Sequence, residues 1–293
     1  MNPATAIFEA ERPRLVALCY RMLGERAGAE DAVQDTWLRW SRIDPAAIDN
    51  PAAWLRRTAT HIAIDALRAA RAKREAYPGP WLPEPLFATE AQAAGARFEI
   101  AQECELALLW AMERLSATER AAFILREAFD TGYDEIAALL GKSEGACRQL
   151  VSRAHRRLHE SGPRFDTPDA QVRELIARFL SAVAADDFEA AQQLLAPDAV
   201  ALSDGGRKAS AALRPLVGAQ DILTVFTSVM RRSAVVTGWR LELVEVNRRP
   251  ALVRWLGERI DFVLTLAPDV SGRIAWLYVM RNPDKLPGAT GYQ

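Results

Sequence analysis

Apolar residues recur at helical spacing through the first half of the chain. Leu15, Leu18, Cys19 and Met22 keep the i, i+3, i+4, i+7 pattern of a buried stripe, and Gly24 ends it. Ala32, Val33, Trp37 and Trp40 predict a second helix. Asn50-Pro51 predicts the start of a third, because Asn caps and Pro fits the first turn; this helix should run to about Ala72. Four prolines and one glycine in residues 77–89 then exclude a helix interior and predict an extended linker. Its Trp81, Leu82 and Phe87 are unusual for a free tether and predict packing onto another surface. Helical periodicity returns from about Phe98 to Leu158 and breaks at Ser161-Gly162-Pro163.

The remainder changes character. Val172, Leu175, Ile176, Phe179, Leu180 and Val183 make one strong helical stripe. β-Branched and aromatic runs follow at 199–202, 240–246, 251–256, 260–267 and 274–281, with a helix near 221–231 between them. This block reads as α+β, helices first and then a mainly antiparallel sheet. No internal repeat or low-complexity tract is visible.

The sharpest local pattern lies at 133–158. Tyr133, Ile136, Ala137 and Leu140 give a short amphipathic helix; Gly141-Lys142-Ser143 gives a turn in which Gly leaves that helix and Ser143 caps the next. The second helix should bury Ala146, Leu150, Ala154 and Leu158 and expose Arg148, Gln149, Ser152, Arg153 and Arg156. This is the layout of a helix-turn-helix whose second helix enters the major groove. Arginine pairs with guanine at two points, glutamine with adenine, and further arginines suit phosphates. A helical hairpin in a protein-binding bundle is the competing reading.

Composition adds limits. Half of the 293 residues are hydrophobic and 26% are charged, as in ordinary globular domains, and the length suits two or three of them. No apolar run approaches the roughly 18 residues of a membrane span, and the first residues lack a signal-peptide layout, so a cytoplasmic location and no membrane partner are expected. Cys19, Cys104 and Cys147 are too scattered for a disulfide framework and read as buried small side chains. No metal-ligand spacing and no cofactor motif appears. The net charge of −1 says nothing about nucleic acid, but its distribution does. Residues 51–74 carry six basic residues against one acid, and residues 142–164 six against two. On charge alone, two contacts with a polyanion and two solvated helix faces fit equally well.

Three motifs, in order, resemble the sigma-70 family. Residues 29–40, Ala-Glu-Asp-Ala-Val-Gln-Asp-Thr-Trp-Leu-Arg-Trp, look like conserved region two, which docks on the polymerase clamp. The resemblance implies polymerase binding by Glu30, Asp31, Gln34, Asp35 and Trp37. Residues 50–59 and 64–68 resemble the helix of that region that reads and melts the minus-ten element. The implied DNA-binding residues there are Arg56, Arg57, His61, Arg68, Arg71, Lys73 and Arg74, with the loop 43–50 where the family places its base-reading loop. Residues 115–123 and the helix-turn-helix resemble region four, which reads the minus-thirty-five element, through Ser143, Arg148, Gln149, Ser152, Arg153 and Arg156. The third region of larger sigma factors is missing, which marks the extracytoplasmic-function group.

The tail resembles the subgroup with a fused SnoaL-like C-terminal domain. Three segments carry that likeness: Trp81-Leu82-Pro83-Glu84-Pro85, Asp204-Gly205-Gly206-Arg207-Lys208 and Asn282-Pro283-Asp284-Lys285-Leu286. The second usually has a third glycine where Arg207 stands, and glycine adopts left-handed angles that arginine resists.

The implied architecture is multidomain. Residues 1–75 form region two, 76–104 the linker and 105–161 the region-four helix-turn-helix, both domains all-α. Residues 168–293 form an α+β, NTF2-like cone. The implied partners are core RNA polymerase and promoter DNA, with room for a small ligand or protein at the C-terminal domain. The implied function is promoter recognition regulated in cis by that domain, the three tail motifs acting as interdomain regulatory residues. The alternative is a DNA-tethered small-molecule sensor or an isomerase- or cyclase-like enzyme using the C-terminal pocket. Such catalysis needs a positioned acid and base, yet all three histidines (His61, His155, His159) precede residue 160. Asp261 stands without a partner in the sequence and reads as a surface residue; Trp239, Trp255 and Trp276 read as core.

Overall fold

The computed structural model describes residues 3–87, 101, 104–159, 167–233 and 237–287, so the return of helix expected at about Phe98 and the break expected at 161–163 lie outside the described residues. The chain divides into two compact units. One comprises Met1–Ala76, Leu86–Cys104 and Leu108–Ser161; the other comprises Tyr77–Pro85, Glu105–Ala107 and Gly162–Gln293. The first part of the Pro-rich linker thus belongs to the C-terminal unit.

In the first unit, α1 (Pro3–Leu23), α2 (Arg26–Trp40) and α3 (Pro51–Glu75) pack on one another. Their seam is apolar: Leu15, Leu18, Cys19 and Met22 from α1, Val33 and Trp40 from α2, and Leu55, Ala59, Ala63 and Leu67 from α3. Trp40 is wholly buried, yet its indole N–H is satisfied by the Ala4 carbonyl at 2.9 Å. Asn50 caps α3 as expected, its side chain accepting the Ala53 N–H at 3.0 Å. The helix runs past Ala72 to Glu75, where Arg71 pairs with Glu75 across one turn and Tyr77-Pro78 then disfavours helical angles.

The same unit holds α5 (Ala117–Phe129), α6 (Tyr133–Leu140) and α7 (Glu144–His159), preceded by the short α4 (Leu106–Ala111). Ser116 and Glu119 form a reciprocal capping box at the start of α5. Gly141 leaves α6 at φ +63, and the Ser143 hydroxyl accepts the Ala146 N–H at 3.2 Å. The turn is as expected, but the buried stripe of α7 is not. Cys147, Leu150, Val151, Ala154 and Leu158 face inward while Ala146 is half-exposed. A strict four-residue step drifts off a 3.6-residue helix, so the contact alternates steps of three and four.

The C-terminal unit carries α8 (Asp169–Ala184), α9 (Phe188–Leu194), β1 (Leu195–Asp204), β2 (Leu216–Val217), α10 (Ala219–Ser233), β3 (Trp239–Val246), β4 (Arg249–Leu256), β5 (Arg259–Pro268) and β6 (Ile274–Met280). The six strands lie in the order β2-β1-β6-β5-β4-β3. All pairs are antiparallel except β1 with β6. The α8 stripe packs with Leu252, Leu264, Leu266 and Leu277 of the sheet. The expected α+β architecture is present, but β2 and α9 are too short to show in the periodicity. Strand β1 starts four residues before Ala199, its beginning hidden by Pro197 and a register irregularity between Leu195 and Val200.

Candidate functional site

Helix α2 buries Ala29, Ala32, Val33, Thr36 and Trp40. Its opposite face therefore presents Glu30, Asp31, Gln34 and Asp35 to solvent, with Trp37 half-buried against Phe8 at a ring separation of 4.9 Å. The result is an acidic surface on a rigid helix, with an aromatic edge beside it.

Helix α3 is unevenly available. Arg57, His61, Arg68 and Arg71 are exposed, and Arg68 and Arg71 make only exposed pairs within their own helix, with Asp65 and Glu75. His61, though exposed, and further side chains of α3 are engaged by the second half of the unit. Arg56 pairs with Glu135 of α6 at 3.3 Å, and His61 Nε2 lies 2.8 Å from the Leu139 carbonyl. Arg74 pairs with Glu113 and donates to the Leu23 carbonyl at 2.5 Å. Glu113 also holds Arg120, whose residue is 1% exposed and whose Nε donates to the Arg21 carbonyl at 2.9 Å. One carboxylate thus joins two guanidiniums and ties α3 and α1 to α5. The side chain of Lys73 lies outside the described residues.

Helix α7 presents Arg148, Gln149, Ser152, Arg153 and Arg156 to solvent. Arg148 is pre-aligned by Glu144 at 3.2 Å and by the Tyr133 ring, whose centre is 4.5 Å away. Arg153 and Arg157 both reach Glu119, at 3.2 and 2.7 Å. Burial alone would raise the Glu119 carboxyl; the Ser116 backbone and hydroxyl bonds, with Arg157 and Arg153, outweigh it and hold the group below its ordinary value.

In the C-terminal unit the three tail motifs converge. Asp204, at the end of β1, is 0% exposed and collects the contacts. One carboxylate oxygen takes the Leu82 N–H at 3.0 Å and the Lys285 ammonium at 2.8 Å; the other takes the Tyr77 hydroxyl and the Gly206 N–H. Lys285 returns to the linker, donating to the Leu82 carbonyl at 2.7 Å and standing 3.9 Å from the centre of the Trp81 ring. The Asn282 amide donates to the Tyr77 hydroxyl at 2.9 Å. Burial, then the bond to Asp204, pushes the Tyr77 hydroxyl well above its ordinary pKa, so it remains a donor. Leu82, Pro83, Pro85 and Leu286 are buried around this centre; Glu84 is half-buried, and Pro283 and Asp284 are exposed.

The loop after Asp204 explains its glycines. A Cβ at Gly205 would stand 2.2 Å from the Ala209 carbonyl oxygen, and one at Gly206 2.4–2.6 Å from the Asn282 amide. Arg207 adopts the left-handed angle at φ +62 that the family gives to glycine. Outside this loop, Lys208 reaches Asp284 at 2.7 Å and ties the second motif to the third.

Asp261 corrects the surface expectation. Its side chain is 16% exposed and lies between Arg254 at 3.1 Å and Arg281 at 2.8 Å. Tyr77, Glu113 and Arg120 were not singled out from the sequence. Tyr77 stands one turn before the linker motif, and only the fold shows where a long side chain from there arrives. Glu119 carried a readable signal, the Ser-x-x-Glu capping box.

Comparison with known proteins agrees with this division. The Sigma-70 region 2 family matches residues 7–73, and Sigma-70, region 4 matches residues 99–158. The chain is 33% identical to the ECF RNA polymerase sigma factor SigJ of Mycobacterium tuberculosis, over 96% of this chain and 93% of SigJ. It is 29% identical to the probable ECF RNA polymerase sigma factor SigI of that organism, over 97% and 95%. The crystal structure of M. tuberculosis SigJ superposes with a TM-score of 0.73 at 30% identity, covering 98% of both chains. With region two on α1–α3, region four on α5–α7 and an α+β tail matched along its length, the chain belongs to the sigma-70 family as an extracytoplasmic-function RNA polymerase sigma factor.

Proposed function

We propose that this sigma factor directs promoter recognition under control in cis, its C-terminal domain acting through the linker. The observation that carries the reading is the buried Asp204–Lys285 pair, which takes both the N–H and the carbonyl of Leu82. Among the described bonds to the Asp204 carboxylate, Tyr77 and Leu82 supply one on each oxygen. A buried pair of charges holds only while its remaining donors and acceptors are met, so linker docking and the integrity of this centre are coupled.

Region two docks on core polymerase through Glu30, Asp31, Gln34, Asp35 and Trp37. The exposed basic residues of α3 approach the minus-ten element, and α7 reads the minus-thirty-five element. Those elements are centred about 25 base pairs apart, roughly 85 Å at 3.4 Å per pair. A compact unit of about 150 residues has a radius of gyration near 15 Å. While Arg56 and His61 hold α6, α3 and α7 cannot occupy both elements, so this arrangement is a promoter-free state. Docking of the linker biases the population between this state and an open one. Its activity is promoter recognition for transcription, and the protein works in the cytoplasm. The tail has no histidine, and two guanidiniums pair with Asp261, so no histidine–Asp261 acid–base pair forms there.

Run-off transcription with core polymerase tests the proposal, comparing the full chain with Lys285→Met and Tyr77→Phe. Altered promoter activity in the variants, with core affinity retained, supports it. Identical run-off yields across all three remove the regulatory claim.

A further inference from the structure

Glu119 caps α5 and at the same time touches α7, the helix assigned above to the minus-thirty-five element. Its side chain is 5% exposed, whereas Arg153 and Arg157, the residues it holds, are each 47% exposed. The bond to Arg153 uses Nε at 3.2 Å, so the two terminal nitrogens of that half-exposed guanidinium are not used in it. The bond to Arg157 uses a terminal nitrogen at 2.7 Å. Spaced four residues apart, the two arginines lie one above the other on the helix. A nearly buried carboxylate thus anchors two half-exposed cations.

We infer that Glu119 is a positioning residue for promoter recognition: it fixes Arg153 and Arg157 as a phosphate clamp that sets the register of α7 in the major groove. Phosphate contacts carry no sequence information themselves, but they decide which base edges the reading side chains meet. Base reading then falls to Arg148 and Gln149 in the N-terminal half of α7, the part of a recognition helix that enters the groove, and to Ser152 one turn further on. A flexible arginine pair would bind phosphate as strongly and align the helix less well.

The inference rests on α7 being the reading helix, and the experiment separates the two claims. The probes are a duplex enriched from a random pool by the wild-type holoenzyme and a scrambled duplex of equal composition, each titrated at several salt concentrations. Three full-length variants are compared as holoenzymes: Glu119→Gln, Arg157→Lys and Gln149→Ala. Gln still completes a capping box, so Glu119→Gln keeps the start of α5. Its affinity for scrambled DNA should hold or rise with the lost negative charge. Its preference for the enriched duplex should fall about tenfold, the discrimination carried by one base pair. Arg157→Lys keeps the charge and loses the planar fork, so it should lose preference at an unchanged salt slope; it serves as the test should Glu119→Gln unfold at a lower temperature. Preference unchanged in Glu119→Gln and Arg157→Lys, but lost in Gln149→Ala, overturns the positioning role alone. Preference unchanged in all three overturns the assignment of α7 as well.

Discussion

Helices α3 and α7 are both basic and both assigned to DNA, yet the protein treats them differently. The reading face of α7 is open to solvent, its residues pre-aligned by partners behind them, Glu144 for Arg148 and Glu119 for Arg153. On α3, Arg56, His61 and Arg74 are held by groups from the other half of the same unit. One helix holds its exposed side chains aligned, and the other is partly committed to contacts within the unit. Under the proposed control in cis, regulation falls on α3, because α7 as the proposed reading helix needs no rearrangement of its own side chains to meet a groove.

Removing the charge that fastens α3 should break this contrast most strongly. Glu113→Gln leaves Arg120 buried without its counter-ion, and loss of one partner in a buried ion cluster costs about 3–5 kcal/mol. Denaturant unfolding should show a loss of that order, with hydrogen exchange rising along the C-terminal half of α3; wild-type protection there would mean that α3 is held by apolar packing alone. A smaller effect is expected on the aligned helix. Ser143→Ala removes the cap of α7 at a cost of about 1 kcal/mol. The increased exchange should be confined to the first turn of α7, and spread into α3 would show that the two helices are not independent. The smallest change sharpens the comparison rather than breaking it. Glu135→Gln frees Arg56 from a half-exposed pair worth about 0.2–1 kcal/mol. Stability should barely move while affinity for fork-junction DNA at the minus-ten end rises; unchanged affinity would mean that Arg56 makes no contact there.

Much of this was legible in the chain. The caps Asn50 and Ser143, the turn at Gly141 and the acidic face of α2 follow from local chemistry, and the structure places each where spacing put it. The apolar residues of the linker predicted packing, and Leu82 is indeed buried. What escaped the sequence is long-range pairing. Nothing local tells Arg74 from Arg71, yet one joins Glu113, 39 residues away, and the other turns to Glu75 in its own helix. The same holds for Tyr77, whose partner Asp204 is 127 residues distant. Arg207 shows the converse: a residue that resists left-handed angles adopts them, next to a Gly206 against which the Asn282 amide packs too closely for any side chain.

The parallel pairing of β1 with β6 orders events in time. Strand β1 ends at Asp204, but its neighbour in the sheet is the last strand, Ile274–Met280, and the lysine that completes the linker site follows at 285. A ribosome adding about 5–20 residues per second needs roughly 6–25 s to go from the end of α7 to Lys285. During that interval regions two and four are already synthesised, while the domain that engages the linker cannot yet close. Every newly made molecule therefore passes through a window in which its two DNA-contacting halves exist without their tail. The length of that window is set by strand order rather than by any signal.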